Sequence, residues 1–268
     1  HRVDRRQRQM CIRDRSNRGG STVANINLCN LFNKKGLDCM FYGPHPWPSS
    51  FCKYDHIENA GVNEEGEVLI VHYAKFPGRP PASKKVLLSC HEKSLFPIKQ
   101  IKKYWDNIHF VSEAQKKWHN EDGCVIPNVV SDLTNTKKKV FGVAGVIGSV
   151  DRNKQTHISI KKAIDEGFKN ILIYGDITDQ EYYEQYVKLY VDTGVVKLKG
   201  HEDSKQKMYD SLSCVFHSSR SETFNFIIPE CKMTGTKYKG VDSANPEVEN
   251  FPSEDEIFEL WTKELQLS

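Results

Sequence analysis

The chain has 268 residues, enough for two modest α/β domains or one large one. Hydrophobic residues make up 38% and charged residues 27%, and no apolar run approaches the roughly 20 residues that a bilayer span needs. This composition predicts an ordinary globular protein and excludes a membrane-spanning class. We also expect no secretory signal, because no apolar segment follows the arginine-rich N-terminus.

The net charge of +3 comes from residues 1–18, which hold seven arginines and two aspartates. The rest of the chain is slightly acidic, so the overall charge gives no support to a nucleic-acid-binding class. Residues 1–18 show neither a period of two nor a helical apolar stripe, and we interpret them as a disordered or non-native tail. The alternative is an electrostatic arm for acidic lipid or nucleic acid, for which two aspartates and no lysine make a poor case.

The eight cysteines are scattered along the chain without a CxxC pair. A disulfide framework is improbable in a chain of this size, and a zinc site needs more closely spaced ligands. We therefore expect reduced thiols in a cytoplasmic protein, used mostly to fill the core, and no metal site.

Residues 19–135 predict an N-terminal Rossmann-like domain. The pair Gly19 and Gly20 opens a helical apolar pattern that Gly36 ends. Short apolar runs follow, with helical segments between several of them, at residues 68–73, 86–90, 108–112 and 124–127. Nothing before Gly19 resembles a strand, so we expect this domain to lack its first strand.

A polar break at residues 131–139 precedes a second alternating pattern in residues 136–250. Its predicted strands are 140–148, 170–175, 195–200, 214–219 and 236–241, and its predicted helices are 154–167, 179–192, 203–211 and 224–234. The fold class is therefore α/β, with two Rossmann-like domains that face a cleft. Residues 251–268 predict a final helix that packs back on the first domain.

Two glutamates flank a short apolar run in the stretch "SRSETFNFIIPE". Glu222 and Glu230 lie eight positions apart, a spacing that is common by chance and also fits two solvated carboxylates on a helix surface. Their position favours a function, because they follow a predicted strand and open a helix at the sheet edge where ligands bind. Glu230 has apolar neighbours, and a buried carboxylate needs a partner.

At these residues the chain resembles retaining glycosyltransferases of the GT-B fold, family 4-like, the large group that contains sucrose synthases and bacterial mannosyltransferases. The resemblance runs from about Gly19 to Gly240. It rests on "GGSTVANINLCNLFNKKG", "SCHE", "FVSEAQKKW" followed by "VIPNVVSD", "GSVDRNKQ" and "SETFNFIIPE", of which the last corresponds to the family's Glu-x7-Glu signature. Several weak signals in the right order are more specific than any one alone.

The resemblance implies roles for residues of the second domain. Glu222 would contact hydroxyls of the donor sugar, Glu230 would bind the ribose of the nucleotide, and Lys154 would neutralise the diphosphate. Ser149 stands where the family usually has arginine, and Arg152 is our candidate for the missing charge. The backbone amides from Phe224 through Asn225 and Phe226 to Ile227 would meet the diphosphate at a helix start. Asn225 replaces the family's glycine, and we expect it to tolerate a positive φ.

The resemblance also implies roles in the first domain. His91 would lie near the reaction centre, where an imidazole can hydrogen-bond donor hydroxyls or the developing charge. A satisfied structural histidine is the alternative. Gly19 and Gly20 would form the loop that approaches the diphosphate and the acceptor, and a simple turn is their alternative. The segment 44–48, "PHPWP", either stacks on an acceptor sugar or is only a turn.

The predicted activity is transfer of a sugar from a UDP- or GDP-sugar to an acceptor, with retention and without a metal or cofactor. The acceptor class stays open between a glycan, a lipid and a small molecule, as does a peripheral membrane contact. A degenerate GT-B protein that binds a nucleotide or sugar without turnover is the alternative. A GT-B sugar-nucleotide epimerase would need an acid and base set that the sequence does not offer.

Overall fold

The computed structural model describes residues 10–14, 19–43, 53–56, 68–72, 85–93, 98–136, 140–240 and 251–267. The chain divides into two compact units. Unit 1 comprises His1–Val130 and Val248–Ser268, and unit 2 comprises Ser131–Glu247. The domain boundary expected at residues 135 and 136 therefore lies five residues earlier, and the chain returns to unit 1 at Val248.

Unit 1 is built on a seven-stranded sheet with the strand order β3-β2-β1-β4-β5-β6-β7. All of its paired strands are parallel. Its strands are β1 (Met10–Asp14), β2 (Cys39–Gly43), β3 (Tyr54–His56), β4 (Val68–His72), β5 (Lys85–Cys90), β6 (Asn107–Phe110) and β7 (Cys124–Val125). Its helices are α1 (Gly20–Lys34), α2 (Ile98–Ile101), a 3-10 turn at Lys102–Tyr104, α3 (Glu113–His119) and α9 (Glu254–Leu265).

Unit 2 is built on a five-stranded parallel sheet with the order β10-β9-β8-β11-β12. Its strands are β8 (Val143–Ile147), β9 (Asn170–Tyr174), β10 (Val196–Gly200), β11 (Cys214–His217) and β12 (Lys237–Gly240). Its helices are α4 (Thr156–Asp165), α5 (Gln180–Tyr182), a π-helical turn at Tyr183–Val187, α6 (Lys188–Asp192), α7 (Lys205–Asp210) and α8 (Ile227–Thr234).

The strand order in each unit is that of a doubly wound Rossmann fold. In such a sheet, successive strands are added first on one side of the first strand and then on its other side. Ligands bind in the crevice at this switch point. The switch point lies between β1 and β4 in unit 1, and between β8 and β11 in unit 2. The predicted fold class, α/β with two Rossmann-like domains, is confirmed for each unit taken by itself.

The central strands form because they are apolar on both faces. In β4 all five residues are buried, and in β5 the last five are buried. Such continuous burial is typical of parallel sheets covered by helices on both sides. The apolar core of unit 2 includes Ile160 of α4, Ile173 of β9 and Phe216 of β11, all fully buried.

The expectation that the first sheet lacks its first strand is wrong. Met10–Asp14 forms β1 at the centre of the sheet, with Met10 paired to Cys39 on one side and to Val68 on the other. Met10, Cys11 and Ile12 are buried, so three apolar residues between arginine-rich flanks are enough to fill this position. This part of the tail is therefore ordered. The formation of β1 does not test whether residues 1–18 are native, because any short apolar segment of this kind can occupy a strand position. A non-native origin of these residues stays a prediction.

The final helix, α9, lies against unit 1. Its residues Ile257, Trp261 and Leu265 are buried in one apolar cluster with residues of α1 and the sheet, such as Phe32. The helix begins with a capping box, in which Glu256 N donates to Ser253 Oγ over 3.2 Å and Ser253 N donates to Glu256 Oε2 over 2.7 Å. Spacing of the apolar residues by four places them on one face, which is the face that is buried.

Within the described ranges, no disulfide joins the cysteines. No helix among these residues is long and apolar enough to cross a bilayer. The segment 44–48 lies outside the described residues.

Candidate functional site

Two loops meet at the switch point of unit 2. The loop after β8 covers residues 148–155, and the loop after β11 covers residues 218–226. Arg220 N donates to Asn153 O over 2.8 Å, and Ser218 Oγ donates to Gln155 O over 2.8 Å. The loops are therefore fixed to each other at the carboxyl edge of the sheet by one backbone hydrogen bond and one hydrogen bond from a serine side chain.

Asp151 organises the first of these loops. Its Oδ1 accepts hydrogen bonds from Asn153 N over 2.9 Å and from Lys154 N over 2.8 Å, and its Oδ2 accepts from Ser149 Oγ. An aspartate that binds the amides two and three residues ahead closes a local turn without regular structure. This turn sets the direction of Lys154 at the entry to α4.

The ammonium of Lys154 forms an ion pair with Oε1 of Glu222. Glu222 is mostly buried, with 14% of its side chain exposed. Burial raises the pKa of Glu222, but the contact with His217 and the charge of Lys154 outweigh it and lower this pKa to about 2. Glu222 is therefore a carboxylate at any physiological pH.

His217, the last residue of β11, contacts the same carboxylate. Its Nε2 lies 3.4 Å from Glu222 Oε1, and its side chain is 3% exposed. At this distance the two groups are in contact without a well-aligned hydrogen bond. A buried polar atom that makes no such bond is uncommon in native structures. Sequence reasoning missed His217, because nothing distinguishes one histidine at a strand end from a core residue.

Glu230 is 2% exposed and lies in the first turn of α8. Lys205 forms an ion pair with its Oε1, and Tyr209 Oη donates to its Oε2 over 2.8 Å. Lys205 and Tyr209 are four residues apart on α7, so they lie on one face of that helix. Burial, followed by the charge of Glu230, raises the pKa of Tyr209 well above its ordinary value. The partner that a buried Glu230 requires is thus supplied by α7, which sequence reasoning also missed.

Lys154 forms an ion pair with Glu222, whereas Glu230 forms an ion pair with Lys205. Arg152, the candidate for the missing charge, pairs with Asp179 at 3.6 Å and with Glu181 at 3.2 Å. These contacts direct its guanidinium toward the start of α5. Its role in donor binding stays a prediction.

The residues before α8 differ from the expected helix start. The helix begins at Ile227, three residues later than predicted, so Phe224 and Asn225 precede it. Asn225 is not among the residues with positive φ, so its expected tolerance of a positive φ is not called upon in this structure. Its side chain instead accepts from Ile227 N over 3.0 Å and donates to Tyr238 Oη over 3.3 Å. The rings of Phe224 and Phe226 pack edge to face, with centroids 4.9 Å apart.

In unit 1, Gly19 and Gly20 lie at the N-terminus of α1. Gly19 is the N-cap residue in an extended conformation, and no side chain caps the helix there. A side chain built on Gly20 would meet no atom within 4 Å, so the space beside the helix start is open on that side. The first turn holds no acidic residue. Such a helix start favours an anion through its N–H groups and its dipole.

His91 directly follows β5 and is 7% exposed. Its ring centroid lies 4.8 Å from that of His72 and 6.1 Å from that of His109. Burial is the main cause that lowers the pKa of His91 well below its ordinary value, with further contributions from His72 and His109. His91 is therefore neutral near pH 7.

A depression of about 740 Å³ lies at the opposite, amino edge of the unit 2 sheet, lined in part by Phe141, Phe168 and Lys237. It shares no residue with the two loops at the switch point. The depression and the charged side chains of the two loops therefore lie at opposite edges of this sheet. Within the described part of the chain, no group of three or more His, Cys, Asp or Glu side chains is placed to hold a metal.

Comparisons with known proteins agree with this architecture. No family model matches the sequence, and no curated protein is significantly similar to it. Among solved structures, HepE from Anabaena with UDP and glucose aligns at a TM-score of 0.67 and 12% identity, over 95% of this chain and 89% of that one. AviGT4, a glycosyltransferase involved in avilamycin A biosynthesis, aligns at 0.65 and 14% identity, over 95% and 92%. A glycosyltransferase from Rickettsia africae aligns at 0.63 and 12% identity, over 96% and 90%.

At such low identities the likeness concerns the fold. The protein is an α/β protein of two Rossmann-like units. More particularly, it has the fold of GT-B glycosyltransferases.

Proposed function

We propose that the protein is a retaining glycosyltransferase that moves a sugar from a UDP- or GDP-sugar to an acceptor, without a metal or cofactor. The observation that carries the proposal is the partly buried Lys154–Glu222 ion pair at the switch point of unit 2. A lysine beside an ionised carboxylate provides one group for a diphosphate and one for sugar hydroxyls. HepE, which shares the fold, has been solved with UDP and with UDP-glucose.

Five residues of the site have a proposed role. Lys154 carries three N–H donors, so it can hold Glu222 and a phosphate oxygen at the same time. Glu222, which stays ionised, accepts from hydroxyls of the donor sugar. Glu230 accepts from the ribose hydroxyls, and Lys205 and Tyr209 hold its carboxylate in one orientation.

The reaction breaks the bond between the anomeric carbon and the diphosphate oxygen. A bond forms between that carbon and the acceptor oxygen on the same face, and the acceptor proton passes to the departing diphosphate. Negative charge grows on the leaving group, so its stabilisation is the main task of the protein. In this proposal Lys154 and the backbone amides of residues 224–226, just before α8, supply it, because the amide of Ile227 already donates to Asn225 Oδ1. No side-chain nucleophile is required.

The location of the enzyme, its partners and its acceptor class are proposed from the sequence alone. We place the enzyme in the cytoplasm, with no nucleic-acid partner. The acceptor is a glycan, a lipid or a small molecule, and the amides of α1 at Gly19 and Gly20 are its expected neighbours. A peripheral membrane contact stays open.

Calorimetry with UDP-glucose and GDP-mannose tests the donor site. We expect one of the two to bind, and Lys154→Gln to weaken its binding about 10-fold or more, because a charge-assisted hydrogen bond contributes about 1.5–3 kcal/mol. The matched control is Lys239→Gln. Lys239 also pairs with a glutamate, Glu166, which follows the far end of α4. Equal losses in both variants, or no binding of either nucleotide sugar to the unsubstituted protein, would contradict the proposal.

Turnover separates the enzyme from the non-catalytic alternative. Incubation with the bound donor, first without acceptor and then with a panel of sugars, should release nucleoside diphosphate. Donor binding without any release would favour a degenerate protein that binds a nucleotide sugar only.

A further inference from the structure

Two side chains contact the same oxygen of Glu222. The ammonium of Lys154 forms an ion pair with Oε1, and Nε2 of His217 lies 3.4 Å from that same oxygen. In the part of the chain that the structure describes, every hydrogen bond and ion pair of this carboxylate is made by Oε1. Both partners therefore hold one oxygen and leave Oε2 for a ligand.

The two partners differ in what else they can contact. Lys154 is 25% exposed, and its three N–H donors allow it to bind a diphosphate while it holds Glu222. His217 is 3% exposed and ends β11, where its backbone is paired with Gly240 of β12. The ring of His217 is therefore held from within the sheet, and Glu222 is the polar group that its Nε2 faces.

The direction of this contact follows from the charge of Glu222. Burial raises the pKa of its carboxyl group, but the contact with His217 and the charge of Lys154 outweigh burial and lower this pKa to about 2. An ionised carboxylate only accepts hydrogen bonds. The contact is therefore favourable when Nε2 of His217 carries a hydrogen, which the carboxylate then accepts.

The contact is long for a hydrogen bond. An N–H···O bond is about 2.7–3.2 Å long, whereas Nε2 and Oε1 are 3.4 Å apart. Hydrogen bonds of an active site are often long in the absence of a ligand and shorten in the complex. When the ammonium of Lys154 contacts a diphosphate, less of its charge acts on Oε1. His217 is then the partner that still holds this oxygen.

We infer that His217 is a positioning residue, which donates from Nε2 to Oε1 of Glu222 and so keeps Oε2 directed at the donor sugar while Lys154 binds the diphosphate. This inference rests on the proposed function for the identity of the ligand, and not for the contact between His217 and Glu222. Because His217 acts on the sugar only through Glu222, its loss should weaken the binding of a nucleotide sugar and spare that of the nucleotide alone.

Calorimetry with UDP, UDP-glucose, GDP and GDP-mannose tests this selectivity. His217→Leu keeps a side chain of similar volume without a donor, and we expect it to weaken binding of the nucleotide sugar about 5-fold or more. Binding of the matching nucleoside diphosphate should stay unchanged. His217→Gln, which keeps an N–H donor, should restore part of the loss. In the Glu222→Ala background, His217→Leu should add no further loss.

The control for these variants is His157→Leu. His157 is a second partly buried histidine of unit 2, and its Nδ1 contacts Tyr182 Oη at 2.6 Å. This variant should leave the ratio of the two dissociation constants unchanged. A purely structural role of His217 would instead weaken the nucleotide and its sugar conjugate in parallel.

Nitrogen NMR of the 15N-histidine-labelled full chain tests the contact without any ligand. At pH 7 we expect His217 to carry a hydrogen on Nε2, with its signals identified by their loss in His217→Gln. Glu222→Gln, which replaces the carboxylate by a neutral amide, should shift the Nε2 signal of His217. The signals of His201, whose side chain is 48% exposed, should stay in place.

An Nε2 without a hydrogen in the unsubstituted protein overturns the inference, as does a His217 signal that Glu222→Gln leaves in place. Equal losses of nucleotide and nucleotide sugar in His217→Leu overturn it as well. If none of the four compounds binds the unsubstituted protein, the proposed function fails, and the NMR result still decides whether His217 donates to Glu222.

Discussion

His91 and His109 are kept neutral by desolvation, because a charged imidazole in the apolar end of the sheet would lose its hydration. Burial is the largest cause of the lowered pKa in both residues, and the carbonyl of Ile126 offsets only part of the shift at His109. Neither ring therefore changes charge near pH 7. Any pH dependence of activity between pH 6 and 8 must come from other groups.

The lowered pKa of His109 predicts a loss of stability in acid. In the unfolded chain a histidine titrates near pH 6.5, whereas His109 in the folded protein titrates at about 4. Between these values the unfolded state binds more protons, so lowering the pH favours unfolding. From pH 8 to pH 5 we expect His109 to reduce the free energy of unfolding by about 2 kcal/mol.

Urea unfolding at pH 8 and pH 5 measures this loss. His109→Gln should show a smaller difference between the two pH values than the unsubstituted protein. The control is His201→Gln, since the side chain of His201 is 48% exposed. If all three proteins lose the same stability, the buried histidine is not the cause.

At the scale of elements, the loop that carries Lys154 depends on a close approach of two glycines. Gly148 follows β8 and Gly175 follows β9, and Gly175 has φ +148°. A side chain built on Gly175 would lie 2.1 Å from the carbonyl oxygen of Gly148. Only glycine fits at this distance. The two strand ends are thereby locked where the loop 148–155 begins.

Gly175→Ala should both destabilise unit 2 and displace this loop, because the added carbon overlaps the backbone of Gly148. We expect a loss of more than about 2 kcal/mol in unfolding free energy and a loss of donor binding. The matched control is Gly194→Ala. Gly194 also has positive φ, but a side chain there meets nothing within 4 Å, so its cost should be about 1 kcal/mol with donor binding kept. Donor binding retained in Gly175→Ala would contradict this account of the loop.

Regular elements with strong periodicity could be predicted from the sequence. The strand predicted at 170–175 is observed at Asn170–Tyr174, because its apolar run and its flanking turns leave no other assignment. The single helix predicted at 179–192 contains a π-helical turn at Tyr183–Val187, which no local pattern indicates. The strand Met10–Asp14 was missed because three apolar residues among arginines are too few for a period, and its pairing comes from β2 and β4.

The candidate site was predictable only in part. Glu222 and Lys154 stand out through motif spacing, and the structure brings them together. His217, Lys205 and Tyr209 could not be found in the same way, because their partners lie 5 to 25 residues away along the chain on other elements. Their contacts with the two glutamates form only when the strands and helices of unit 2 come together in the folded protein.

At the scale of the whole molecule, unit 1 is completed by residues from the far end of the chain. Trp261 of α9 is 1% exposed, and its ring centroid lies 6.0 Å from Phe32 and 4.6 Å from His109. Lys85 of β5 pairs with Glu264 of the same helix at 3.1 Å. The helix therefore covers the sheet beside His109.

Trp261→Ala should cost about 3–5 kcal/mol of unfolding free energy, as is usual for a buried tryptophan. Leu260→Ala is the control, because Leu260 is the preceding residue of the same helix and is 40% exposed, so its loss should stay within about 0.5 kcal/mol. Thermal and urea unfolding would measure both. Similar stabilities of the two variants would mean that α9 contributes little to unit 1.

The interruption of unit 1 by unit 2 has a consequence for synthesis on the ribosome. Unit 2 is one continuous stretch, Ser131–Glu247, and can fold as soon as it has left the exit tunnel. The earlier part of unit 1 must wait until α9 emerges, with the apolar face around Phe32 uncovered in the meantime. The nascent chain is thus most exposed to aggregation and to chaperones at its N-terminal half, although that half is made first.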